Sequence, residues 1–219
     1  MQTMLNNYFI DVKRKNMLTP VNIRGMIPFV NTCKHLFVTY INFKLWKGMV
    51  IIMKLLLHDL SASDAGQYLS ISDKQSFQIV GPAEKSPVKC VGCFGCWIKT
   101  PGECVLKDGF NHMGEYLGNC EDFTIITQSR YGEFSCFIKN ILDRSISTVH
   151  PYFVKRQGEI HHKLRYQNHP GLQVICYSSD LSEEEKNTFE NRVKATAVNL
   201  GCSTHSVTFI NGLDQSILL

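Results

Sequence analysis

The sequence predicts an α/β domain over residues 53–219, built as a doubly wound five-stranded parallel sheet in three layers. Two observations carry this prediction. Short apolar or β-branched runs recur five times, and helical patterns separate most of them. The predicted strands are 55–58, 77–80, 123–127, 172–177 and 207–210.

The first half of the domain has a local signal at each element. Residues 55–58 are a continuous apolar run, typical of a strand buried on both faces. Residues 61–66 have loop and N-cap chemistry, so a brief helix is expected to follow. Residues 81–82 are Gly-Pro, which ends the second strand. Met113 and Leu117, four positions apart, predict a helix around them.

The second half shows similar signals. An apolar stripe over 137–142 predicts a helix after the third strand. Ser182 followed by Glu185 makes a capping box, and Gly201 is placed to end the long helix that starts there. Ligands of such sheets bind beyond the carboxyl ends of the strands. The loops of interest therefore follow His58, Val80, Thr127 and Tyr177.

The basic character of the chain is confined to its first quarter. The 219 residues include 23 Lys and Arg against 19 Asp and Glu, a net charge of +4. Residues 1–52 hold seven of the basic residues and one acid, whereas the rest of the chain is slightly acidic. Residues 53–219 therefore give no electrostatic reason to expect nucleic-acid binding.

The change in charge after residue 52 also predicts the domain organisation. We expect a basic N-terminal extension over residues 1–52 and a folded domain over residues 53–219. The extension has no sustained hydrophobic period. It is a mis-called start upstream of Met53, a poorly ordered segment, or a genuine basic arm or extra helix.

The cysteine usage indicates the compartment. Nine cysteines without a convincing secretory signal argue against a secreted disulfide scaffold. No run reaches 18 uninterrupted apolar residues, so no membrane span is predicted. We therefore expect a cytoplasmic protein with a clustered metal or redox site.

The strongest chemical signal is a loop with the spacing C-x2-C-x2-C-x7-C, formed by Cys90, Cys93, Cys96 and Cys104. Intervening glycines permit tight turns, and a turn at 100–102 can bring the fourth thiol back to the others. Four converging thiolates suit a [4Fe-4S] cluster. Zinc sites more often show two separated C-x2-C pairs. Free or redox-active thiols are the third interpretation.

With this loop after the second strand, the sequence resembles the flavodoxin-like NADPH-dependent FMN reductase family. The iron–sulfur flavoproteins, one branch of that family, have a compact four-cysteine motif at this place. A second matching segment, 129–144, includes Ser-Arg-Tyr-Gly and, further on, a Lys-x-x-x-Asp-Arg helix. The matches together span residues 53–219. The resemblance implies bound FMN, NAD(P)H as electron donor, a small-molecule or redox-protein acceptor, and a homo-oligomer, usually a dimer.

Candidate flavin contacts come from these segments. Aromatic rings at Phe94, Trp97 and Tyr131 can stack on a flavin, and Arg130 can balance its negative charge. The other candidates are Ser61, Ser63, Ser129, Gly132 and Ser135. The first loop departs from the family pattern Gly-Ser-Pro-Arg, because residues 58–66 contain two Asp and no Arg or Lys.

The leading hypothesis is an FMN-dependent NAD(P)H oxidoreductase, similar to FMN reductases, that passes electrons through bound flavin to a small acceptor. The alternatives are an iron–sulfur flavoprotein electron carrier and a non-catalytic flavodoxin-fold protein with a degenerate phosphate loop. The stretch 151–166 is longer than a usual connection. We expect it to cross the mouth of the active site or to form a dimer contact.

Overall fold

A computed structural model describes residues 53–82, 86–156, 158–213 and 216–219 of the chain. The predicted extension over 1–52 lies outside these ranges. None of the helices in the described ranges combines the length and apolar character that crossing a bilayer requires.

Ten strands and five α-helices make up the described part of the domain. The strands are β1 (Met53–His58), β2 (Leu69–Ser70), β3 (Phe77–Val80), β4 (Cys120–Arg130), β5 (Glu133–Phe134), β6 (Val149–Arg156), β7 (Glu159–Leu164), β8 (Gly171–Tyr177), β9 (Thr204–Ile210) and β10 (Ile217–Leu218). The helices are α1 (Ala62–Tyr68), α2 (Gly95–Ile98), α3 (Met113–Asn119), α4 (Cys136–Arg144) and α5 (Glu183–Leu200). Short 3-10 helices cover Lys74–Ser76 and Ser145–Thr148.

The central sheet has the order β3-β1-β4-β8-β9, and all four of these pairings are parallel. Counted along the chain, these strands are the second, first, third, fourth and fifth. That order is the flavodoxin-like one, with its reversal point between β1 and β4. The predicted fold class, a flavodoxin-like five-stranded parallel sheet, is confirmed. The short strand β5 adds an antiparallel hairpin to the end of β4.

The two faces of the sheet are covered unequally. On one face Leu55, Phe123 and Val174 pack with the buried residues of α3, α4 and α5. On the other face Leu56 and Ile126 pack against the C-terminal segment and Ala65 of α1. The outer layer on this second face is thin, because α1 has only seven residues. An open groove of about 360 Å³, lined by both polar and apolar side chains, lies near the amino ends of the strands.

The capping signals formed as predicted. The Ser61 side chain accepts a hydrogen bond from the Asp64 N–H at the start of α1. Ser182 and Glu185 form the reciprocal capping box of α5. Gly201 ends that helix with a φ of 71°, a conformation that glycine adopts at little cost.

The stretch predicted as an excursion contains a β-hairpin of its own. Strands β6 and β7 pair antiparallel with each other, and Gly158 in the turn has a φ of 88°. They form a two-stranded sheet that is separate from the central one.

Candidate functional site

The first loop at the carboxyl edge of the sheet is organised around Asp59, which directly follows β1. One carboxylate oxygen accepts hydrogen bonds from the Thr127 hydroxyl at 2.9 Å and from the Gln128 N–H at 3.0 Å. The other oxygen accepts from the Tyr177 hydroxyl at 2.7 Å. Asp59 thus ties together the ends of β1, β4 and β8. Burial raises the pKa of Tyr177, and its hydrogen bond to Asp59 raises that pKa further.

The predicted phosphate-loop serines lie beside Asp64 at the start of α1. The Ser61 hydroxyl lies 2.7 Å from an Asp64 carboxylate oxygen and 2.8 Å from the Ser63 hydroxyl. Ser61 and Ser63 are both exposed. The Ser61 hydroxyl therefore already faces the Asp64 carboxylate, and the Ser63 hydroxyl faces Ser61.

Tyr131 and Gly132 form a two-residue hairpin turn between β4 and β5. Both have positive φ, 55° and 70°, which identifies a type I′ turn. The Tyr131 side chain is 89% exposed. A Cβ on Gly132 would lie 2.9 Å from the Glu185 carbonyl oxygen, so the turn sits tightly against the start of α5.

The other candidates of this segment differ in accessibility. Ser129 is buried and its hydroxyl donates to the Glu133 carbonyl at 3.2 Å. Ser135 caps α4, with its hydroxyl accepting from the Ile138 N–H. Arg130 is exposed on β4, directly before the turn. Arg130 and Tyr131 are therefore the members of this set whose side chains are exposed.

The cysteine loop is fastened to α4 by a buried arginine. Arg144 is 1% exposed and forms an ion pair with Asp108. It also donates to the Leu106 carbonyl at 2.9 Å and to the Val88 carbonyl at 3.2 Å. Asn140, one turn earlier on α4, donates to the Pro87 carbonyl at 2.9 Å. Both ends of the loop are thus held to the helix that follows the Tyr131 turn.

The four cysteines of the loop line one partly enclosed cavity of about 40 Å³. Its walls are apolar, except for Arg144. Burial raises the pKa of the Cys96 thiol, and the neighbouring sulfurs of Cys104, Cys93 and Cys90 raise it further. Within the described ranges, no three His, Cys, Asp or Glu side chains come together as ligands of a single metal ion. The four cysteines therefore line one cavity, but the described structure does not arrange them as a metal site.

Phe94 and Trp97 belong to an aromatic row that runs from the cysteine loop to the β6–β7 hairpin. The Phe94 and Trp97 rings are stacked with centroids 5.1 Å apart. Trp97 also lies 5.0 Å from the His162 ring, which stacks on Phe153 at 4.8 Å. Trp97 is half-buried and donates to the Ile146 carbonyl. Phe94 is 51% exposed, so it offers more ring surface than Trp97 does.

Sequence reasoning did not identify the hydrogen-bond partners of Asp59 or the role of Asp108. The sequence did contain a signal for the partners of Asp59, because Asp59, Gln128 and Tyr177 all lie at the carboxyl ends of adjacent parallel strands. Asp108 gave no such signal, because its partner Arg144 is 36 residues away.

Comparisons with known proteins found no matching family model and no matching curated protein. Among solved structures, the chain is similar to NAD(P)H:quinone oxidoreductase from Methanothermobacter marburgensis, with 9% identity, a TM-score of 0.42, and coverage of 72% of this chain and 85% of that one. It is also similar to an FMN-dependent NADH-azoreductase from Bacillus anthracis str. Ames Ancestor, solved in complex with FMN, with 11% identity, a TM-score of 0.45, and coverage of 72% and 86%. The fold assignment here rests on strand order and register.

The two ends of an FMN molecule fit this site differently. The exposed rings of Phe94 and Tyr131 offer surfaces on which a planar ring can stack. A phosphate does not fit the first loop. The Thr127 hydroxyl and the Gln128 N–H at the β1–β4 crevice donate to Asp59, and the Ser61 hydroxyl faces Asp64, so two carboxylates occupy this loop.

Proposed function

We infer that residues 53–219 form a flavin-dependent NAD(P)H oxidoreductase of the FMN reductase type. One observation carries this proposal. Phe94 and Tyr131 are the non-glycine residues with positive φ in the described part of the chain, and the sequence predicts both as flavin contacts. Left-handed backbone is costly for aromatic residues, and such strain concentrates at functional sites.

The exposure of these two rings supports the same conclusion. A left-handed conformation that served packing would bury its side chain, but Phe94 is 51% and Tyr131 89% exposed. Their loops are also held relative to one element. The Tyr131 turn leads into α4, and the cysteine loop is bonded to Asn140 and Arg144 of α4. The fold therefore fixes two strained aromatic rings on a common support.

The residues of this site can be given separate tasks. A flavin, when bound, supplies the chemistry of hydride and electron transfer, with NAD(P)H as the donor that the family resemblance implies. Tyr131 and Phe94 would bind the ring by stacking. Arg130, exposed beside Tyr131, would offset negative charge on the bound molecule. Gly132 keeps the turn close to α5, since a side chain there would meet Thr188 and the Glu185 carbonyl.

Flavin titration of the full chain tests this proposal. Binding is followed by quenching of flavin fluorescence, with Tyr131→Asn compared with the matched variant Tyr152→Asn. Tyr152 is also an exposed tyrosine, at 67%, but lies on the β6–β7 hairpin. Loss of the stacked ring should weaken binding by about 1–2 kcal/mol in Tyr131→Asn, whereas Tyr152→Asn should bind like the parent. A parent protein that binds no flavin would refute the proposal and favour the non-catalytic alternative.

A second candidate function is electron transfer through an iron–sulfur cluster in the cysteine loop. What supports it is the donor set: Cys90, Cys93, Cys96 and Cys104 line one cavity with otherwise apolar walls. The buried Arg144 also lines this cavity and would favour a negatively charged cluster. Because these thiols are not placed in the described structure as ligands of a single metal ion, the loop would have to rearrange to accept a cluster. Anaerobic reconstitution with iron and sulfide, followed by iron analysis, tests this candidate.

The proposal includes self-association through the row of aromatic residues. The contacting rings of Phe94, Trp97, His162 and Phe153 join the cysteine loop to the hairpin. Phe94 and Phe153, at the two ends of this row, are 51% and 68% exposed. A second copy that covers them would remove this apolar surface from water. Sedimentation analysis of Phe153→Asp against the parent would show a loss of the dimer if this surface forms the interface.

A further inference from the structure

The crevice between β1 and β4 is where a sheet of this order normally receives an anion. The strand order reverses at this point, and backbone N–H groups and hydroxyls there are directed toward the ligand. In this chain a side chain of the protein itself takes those donors. The Thr127 hydroxyl, the Gln128 N–H and the Tyr177 hydroxyl all donate to Asp59, over 2.9, 3.0 and 2.7 Å.

The neighbouring half of the crevice is also anionic. The Ser61 hydroxyl lies 2.7 Å from the Asp64 carboxylate, and the Asp64 N–H donates back to Ser61 at 3.1 Å. Residues 58–66 contain these two acids and no Lys or Arg. Helix α1 spans only Ala62–Tyr68 and has Asp64 in its first turn. An entering phosphate, with a charge of about −1.5 to −2, would therefore meet two carboxylates, and the Thr127, Gln128 and Tyr177 donors beside it are already bonded to Asp59.

We propose that Asp59 and Asp64 select a flavin without a phosphate, so that this chain binds riboflavin at least as tightly as FMN. The inference rests on the flavin binding proposed above. The selection would depend on which groups of the flavin complement the two carboxylates. The hydroxyls of a ribityl chain can donate hydrogen bonds to carboxylates, whereas a phosphate at neutral pH is mainly an acceptor and is repelled by them.

Parallel titrations of the full chain with riboflavin and with FMN test the proposal. We expect the Kd of riboflavin to be equal to or below that of FMN. We also expect any difference between them to shrink at high salt, because screening weakens the repulsion. Asp59→Asn should strengthen FMN binding by about fivefold relative to riboflavin, since it removes one of the two charges. Asp180→Asn, which removes an exposed charge from the loop after β8, should leave the ratio unchanged.

The outcomes separate this inference from the proposed function. If FMN binds tenfold or more tightly than riboflavin, the selection by Asp59 and Asp64 is refuted while flavin binding stands. If neither flavin binds, both proposals fail together. Should Asp59→Asn fold poorly, Asp64→Asn carries the same expectation, because it removes the other charge and changes a half-buried side chain in the first turn of α1. An unchanged riboflavin-to-FMN ratio in a folded Asp64→Asn would then also count against the selection.

Discussion

The hydroxyl of Tyr177 donates a 2.7 Å hydrogen bond to Asp59, and thereby links the carboxyl ends of β8 and β1 across β4. Tyr177→Phe removes this bond and leaves the carboxylate with Thr127 and Gln128 as donors. Because the acceptor is charged, we expect a loss of about 1.5–3 kcal/mol in the free energy of unfolding. Urea denaturation measures it, with Tyr116→Phe on α3 as the control.

The pair of Tyr177 and Asp59 also predicts that the protein loses stability at alkaline pH. Burial and the nearby Asp59 raise the pKa of Tyr177 above its ordinary value near 10. The unfolded chain therefore loses this proton first, and stability from this group is full below about pH 10 and lost as pH rises further. Tyr177→Phe should lose less stability than the parent between pH 9 and 11. Equal losses in the two proteins would contradict this assignment.

Tyr131→Asn is expected to stabilise the fold even though it removes the proposed ring contact. Tyr131 holds the first position of a type I′ turn at a φ of 55°, and Asn followed by Gly is the preferred pair there. We expect a gain of about 1 kcal/mol, measured as a higher urea midpoint. A midpoint below that of the parent would mean that the tyrosine ring stabilises the fold and is not held in place for a ligand.

The fold could be predicted because its signals are local. The five central strands are apolar runs, and Ser61, Ser182 and Gly201 mark helix ends through the chemistry of single residues. The β6–β7 hairpin was harder to predict. Its strands pair only with each other, and most of their side chains are not buried, so no apolar alternation reveals them.

The site was predictable in position and less so in its contacts. Topology alone brings the loops after β1, β4 and β8 to one edge, and the sequence placed candidates on the first two. What Asp59 contacts depends on rotamers and on register. Tyr177 reaches it across 118 positions of sequence, and Asp108 reaches Arg144 across 36. Such long-range pairs leave no periodic or spacing signal in a single sequence.

A chain that starts at Met53 is expected to fold. The described strand β1 spans Met53–His58, and Met53 pairs with Cys120 of β4, so the shorter chain keeps every described residue of the first central strand. The charge break between residues 1–52 and the rest also falls here. Circular dichroism and solubility should match those of the full chain. A loss of helical and strand signal would show that the upstream residues belong to the folded unit.

The cysteine loop should respond as a unit if it holds a cluster. Replacing any one of Cys90, Cys93, Cys96 or Cys104 by Ser should then remove most of the iron from the anaerobically reconstituted protein, because each thiolate holds one corner. Cys136→Ser is the matched control, since Cys136 is an exposed free cysteine on α4 that does not line the cavity. If parent and variants all lack iron, the four residues are free thiols, and the cluster candidate is wrong.

Stability at acidic pH should depend on Asp108. Burial alone would raise the pKa of its carboxyl group, but hydrogen bonds from Arg144 and from the N–H groups of Val88 and Phe110 outweigh burial and hold the pKa at about 2. The unfolded carboxyl titrates near 3.9, so the group's contribution is full above about pH 4 and is lost as pH falls toward 2. We expect a loss of about 2 kcal/mol from this group, seen as a falling urea midpoint.

A variant at this ion pair separates its role from general acid unfolding. Asp108→Asn leaves the buried Arg144 without its charge partner, so at pH 7 it should cost about 3–5 kcal/mol. The double variant Asp108→Asn with Arg144→Met removes both charges and should recover much of that loss, because no unpaired ion remains in the interior. It should also lose less stability than the parent between pH 4 and 2.

The double variant could instead be no more stable than Asp108→Asn. Arg144 would then be needed for its hydrogen bonds to the Val88 and Leu106 carbonyls, and the cysteine loop would depend on those bonds more than on the ion pair.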